Sequence, residues 1–116
     1  MSFPSSAANG TQAATISTEH TLATISTPGS YILEVDTGNM VNADAVELRV
    51  YDKVLSTSTI TLGGVAGQYL MMPFCNKQAD QVKKSIPFSC LYSSTLTLKQ
   101  TAGTGRNFDW NIKQIA

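Results

Sequence analysis

Large apolar residues recur at every second position in this chain, in short runs cut by turn residues. That period fits strands rather than helices. Tyr31, Leu33 and Val35 alternate with Ile32, Glu34 and Asp36. Val46, Leu48 and Val50 alternate with Glu47, Arg49 and Tyr51, and the two charges interrupt any helical i, i+3 apolar pairing. Leu96 and Leu98 face one way, with Thr95, Thr97 and Lys99 opposite. Phe108, Trp110 and Ile112 close the pattern. Weaker runs lie at Thr15–Thr27, with Ile16, Leu22 and Ile25, and at Thr57–Leu62, with Ile60 and Leu62 inward. Tyr69 to Phe74 is continuously apolar and reads as a strand buried on both faces. Phe88 to Tyr92 is short and apolar.

Turn residues separate these runs. Pro28-Gly29, Thr37-Gly38-Asn39-Met40, Gly63-Gly64 with Gly67, and Gly103-Thr104-Gly105 each bend the chain. Residues 68–86 read as a hairpin, with Val82, Lys84 and Ile86 on period 2. A single helical turn over Asn76–Gln81 is the alternative. About eight strands at such spacings predict an all-β fold, an antiparallel β-sandwich or jelly roll spanning residues 15–116. Val50 and Trp110 are expected in its core. Residues 1–14, rich in Ser, Ala and Asn with Phe3 as their only large apolar anchor, read as a flexible, extended N-terminal arm that orders against a partner.

Eight basic and eight acidic residues cancel, so the chain lacks the basic surface of a nucleic-acid binder or a polybasic membrane anchor. Charged residues are 14% of the chain, against roughly 25% on average. Thr (14) and Ser (12) supply the polar surface instead. No run approaches a membrane span and no secretion signal is visible, so synthesis in a cytoplasm is expected, and the sequon Asn9-Gly10-Thr11 carries no weight.

No motif carries catalysis. His20 is the only histidine, and no nucleophile elbow accompanies it. Cys75, Cys90 and His20 fall one short of a zinc set, so no metal and no cofactor is expected. The two cysteines read as buried small hydrophobes, with a disulfide open to them if their strands pair. Asp36, Asn39, Asp44 and Asp52 lack a calcium-loop spacing and read as solvated turn residues. Gly103 to Arg106 precedes a strand, which argues for a hairpin turn over a phosphate loop. Arg106 then stands beside the turn, free to reach a partner's carboxylate or carbonyl. Tyr51, Tyr69, Tyr92 and Trp110 could form a sugar platform, but alternation makes Trp110 a core residue. Tyr51 falls on the Glu47/Arg49 face, which marks it as an exposed contact aromatic. The partner-contact candidates are therefore Phe3, Tyr51 and Arg106.

Two stretches carry a family resemblance. One is Gly29-Ser-Tyr-Ile-Leu-Glu-Val-Asp36 followed by Met40-x3-Asp44-x3-Leu48-Arg49-Val50-Tyr51-x-Lys53-Val54-Leu55. The other is Leu96-Thr-Leu-Lys-Gln-Thr-Ala-Gly-Thr-Gly-Arg-Asn-Phe-Asp-Trp110. Together they resemble small virion proteins of tailed bacteriophages, closest in character to head decoration, or cement, proteins. The likeness spans about residues 20–115. It implies a β-sandwich or jelly-roll module on the capsid surface of the virion. Its partners would be the major capsid protein and copies of itself as a homo-oligomer. The resemblance equally fits a tail, connector or fibre-base component. A carbohydrate-binding β-sandwich is the reading from a different class.

Overall fold

β-Branched and aromatic residues at alternate positions suit a pleated, half-buried surface. A computed structural model of the chain describes residues 2–62 and 68–116, with the backbone alone over 68–73. Nine strands and no helix lie among the described residues. The strands are β1 (Ser5–Ala13), β2 (Glu19–Ile25), β3 (Gly29–Asp36), β4 (Ala45–Asp52), β5 (Gln68–Cys75), β6 (Val82–Lys84), β7 (Phe88–Cys90), β8 (Ser94–Ala102) and β9 (Asn107–Gln114).

They form two sheets, antiparallel throughout. The front sheet runs β1-β9-β3-β6, with β7 also on β3, and the back sheet runs β2-β8-β4-β5. β6 covers Glu34–Asp36 of β3 and β7 covers Gly29–Tyr31, so they act as two halves of one interrupted edge strand. The sheets share one core. Tyr31, Leu33, Val35, Phe108 and Ile112 come from the front, and Ile25, Val46, Leu48, Val50, Leu96 and Leu98 from the back. Met40 plugs it from the β3–β4 link. Each such side chain contributes about 1.5–3 kcal/mol by leaving water.

Registers sort the connections to two ends. Residues 14–18, 37–44, 76–81 and 103–106 gather at one end. Residues 26–28, 53–62 and 91–93 lie at the other, with residues 2–4 and 115–116.

Several expectations are corrected. Residues 1–14 are not a free arm, because Ser5–Ala13 is strand β1, paired with β9 from Ser5↔Gln114 to Ala13↔Asn107. Backbone hydrogen bonds to a neighbouring strand order it, with only the small Ala8 packed against the core. No strand forms at 57–62. The Ser58 hydroxyl accepts from Leu55 N–H while Ser58 N–H donates to Leu55 O, a local turn that competes with any ladder. β5 and β6 lie in different sheets, so 68–86 is no hairpin, and 76–81 forms no helical turn.

β6 is turned the other way from its predicted period. Val82 and Ile86 are exposed and Lys83 points inward. Lys83 Nζ lies 4.9 Å over the Phe74 ring, donates to Gln78 Oε1 and pairs with Asp80 at 3.1 Å, which compensates its burial. Val50 is buried as expected. Trp110 is only half-buried, packed against the rim of the core, because Gly10 opposite it offers no side chain to cover the ring. The turn predicted at Gly63, Gly64 and Gly67, and the two-sided burial of 69–73, fall outside the described residues.

Candidate functional site

The end that holds residues 37–44 and 103–106 is locked by one carboxylate. Asp44, 1% exposed, accepts from Val41 N–H (2.9 Å) and Arg106 Nε (2.8 Å) on Oδ2, and from Thr104 N–H on Oδ1. Gly103, at φ +88°, leaves room for this, since a Cβ there would stand 1.9 Å from Asp44 Oδ1. Gln100 is fully buried and fully used. Its amide nitrogen donates to Ala102 O and Thr104 O, and its Oε1 accepts from Arg106 N–H. Asn76 joins the 37–44 link, donating N–H to Asp44 O and accepting from Ala43 N–H. Burial alone would raise the Asp44 carboxyl, but the Arg106 guanidinium and the Val41 and Thr104 amides outweigh it and hold it below the usual carboxylate range. This is the clamped end.

The opposite end is built differently. Nine large apolar side chains are more than a third exposed among the described residues, and six of them belong to this end: Phe3, Val54, Leu55, Leu62, Leu91 and Tyr92. Val54 is 74% exposed, Leu55 61% and Leu91 63%. Lys53 N–H donates to Ser93 O at 3.1 Å, so the 53–62 and 91–93 segments lie side by side. These apolar side chains are left uncovered by the rest of the described residues. This is the apolar end.

The three predicted contact residues part company. Phe3 is exposed and belongs to the apolar end. Tyr51 is not an exposed aromatic. It is fully buried on the outer side of the back sheet, and its hydroxyl donates to Glu19 Oε2 (2.6 Å), which also accepts from Thr97. Alternation gave its side correctly, but the polar layer of Glu19, Thr97 and Arg49 on that face encloses it. Arg106 is not free for a partner, because Asp44 of its own chain takes its Nε.

The other singled-out residues also find internal uses. Asp44 is buried rather than solvated. Asp36 accepts from Gly38 N–H, Asp52 from the Ser94 hydroxyl, and Asn39 donates to Asn107 O. His20 Nε2 accepts from Thr15 N–H. No group of three metal-ligating side chains forms among the described residues. Cys90 is buried, Cys75 is exposed, contrary to expectation, and both are free; their strands lie in different sheets. Tyr51 and Trp110 sit in different sheets and facing different ways, so they share no sugar platform.

A shallow hollow of about 250 Å³ opens on the outer side of the front sheet, over Glu34, Asp36, Val82, Asp109 and Lys113. Glu34 bridges Lys113 and Lys84 there. The Lys113 ammonium holds its carboxyl below the usual range, against the opposing effect of burial.

Sequence reasoning missed Leu55, Leu91 and Tyr92. The available signal was an adjacent apolar pair, Val54-Leu55 or Leu91-Tyr92, set directly in a connection between strands.

Compared with known protein families, with curated proteins and with solved structures, the chain matches none significantly.

Proposed function

We propose that the protein is a head decoration (cement) protein of a tailed bacteriophage, seated by its apolar end on the major capsid protein at the outside of the shell. The observation that carries this reading is the unequal treatment of the two ends. Polar and charged groups at one end are consumed within the chain, while large apolar side chains at the other are left for a partner. The resemblance to phage virion proteins supplies the partner's identity. The strand order supports a jelly roll as the finer fold. With β6 and β7 counted as one strand, eight strands form two four-stranded sheets, and each sheet interleaves early and late strands. Binding then depends little on salt, since neither net charge nor the apolar end supplies long-range attraction.

The test adds purified protein to undecorated shells and measures co-sedimentation. Wild type and Val41→Asp, which changes the clamped end, are expected to bind. Leu55→Asp/Leu91→Asp is expected to stay in the supernatant. Equal binding by all three would move the contact to another face, and binding by none would remove the shell as partner.

A further inference from the structure

Sheet edges expose unpaired N–H and C=O groups, and soluble proteins blunt them with charge, proline, bulges or brevity. Three of the four edges here are blunted. β6 and β7 are three residues each, and β6 carries Lys83 and Lys84. β2 carries Glu19 and has a register shift between Thr21 and Ala23. β5 contains Pro73. β1 is different. It has nine residues, no charge and no proline, and among the described residues its only strand partner is β9. Its one register shift lies near its start, between Ser6 and Ala8, and leaves Ala8–Ala13 regular.

The face behind that edge is incomplete as well. The Trp110 indole lies over Gly10, with Cζ2 3.3 Å from where a Cβ would stand, and it remains half-buried. Nothing on β1 can cover it, because Gly10 is its cross-strand neighbour.

We propose that β1 pairs antiparallel with β1 of a second copy of this chain, about a two-fold axis at Gly10, to join two front sheets into one. An uncharged edge suits its own copy, since symmetry would set any charge near the axis against itself. Small residues at Ala8 and Gly10 allow close approach, and the two indoles meet over the two glycines, each completing the other's cover. Gln12 already uses Ala13 O, so the paired segment is residues 8–12. In this register Asn9 faces the partner's Thr11. The pairing is independent of the shell reading, and its test uses no shells.

The full chain is weighed in solution by sedimentation equilibrium, and its single tryptophan reports the interface by emission. Wild type is expected at twice the monomer mass, with emission moving to longer wavelength on dilution as Trp110 is uncovered. Asn9→Lys/Thr11→Lys places Lys against Lys twice and is expected to raise the dimer Kd about tenfold or more. Asn9→Glu/Thr11→Lys places Glu against Lys twice and is expected to stay dimeric. In both variants Lys at position 11 still faces Asp109 within the chain. A wild type that is monomeric at every concentration overturns the proposal, and so does a dimer indifferent to Asn9→Lys/Thr11→Lys.

Discussion

At the clamped end, a carboxylate 1% exposed ties together the 37–44 and 103–106 connections. At the apolar end, Leu55 and Leu91 stand more than half exposed, and one backbone hydrogen bond links their segments. Both ends close the same two sheets. The difference shows where each spends its side chains. Buried polar groups with every partner in place hold a loop in one conformation, but they leave nothing for a second molecule. Exposed apolar groups do little for the fold and are available for binding.

The contrast predicts a large effect at one end and almost none at the other. Asp44→Ala should cost about 3–5 kcal/mol in urea unfolding, because it strips Arg106, Val41 and Thr104 of their acceptor inside the protein. A loss below about 1 kcal/mol would mean that the clamp contributes little to stability.

Acid should act through the same carboxylate. The folded-state pKa of Asp44 is depressed, so its stabilisation is complete above the unfolded value of about 4 and is lost as pH falls through the folded value. Glu34 acts in the same direction. Wild-type melting temperature should therefore fall with pH below about 4, while Asp44→Asn should start lower and fall less steeply.

The smallest effect belongs to the apolar end. Leu55→Asp/Leu91→Asp should change stability by no more than about 0.5 kcal/mol per site, although it is expected to abolish shell binding. A strongly destabilised variant would show that these side chains serve the fold, and the two ends would then be alike.

The sequence made some of this legible and hid the rest for physical reasons. β3, β4, β8 and β9 could be read because their apolar residues keep period 2 against polar neighbours, and the core is built from those rows. β1 was hidden because its order comes from the β9 backbone, and Ser, Ala, Asn, Gly and Thr carry no apolar signature. Lys83 inverted the reading of β6, since an inward lysine needs Phe74, Gln78 and Asp80, which belong to another strand and its following link. Alternation assigned Tyr51 a side of the sheet but carried no information on what encloses that side. Arg106 and Asp44 lie 62 positions apart, and only the topology brings them together. The apolar end was hidden, because Val54-Leu55 and Leu91-Tyr92 read as the tails of apolar runs that the folded strands end before, at Asp52 and Cys90, and composition does not encode exposure.

The strand order also sets a schedule for synthesis. Among the described residues β1 has no strand partner except β9, and β2 none except β8, so these two strands depend on the two furthest along the chain. Ser5 pairs with Gln114, which a ribosome adding about 5–20 residues per second supplies roughly 5–20 s later. Until then the nascent chain holds β1 unpaired, and the front sheet lacks its inner strand β9. The middle of the chain, β3 to β7, can collapse early, but neither sheet is complete before the last strands emerge. Folding is therefore late and all at once, governed by contacts distant in sequence. A chain stopped at Ala102 would carry β1 with no strand to join.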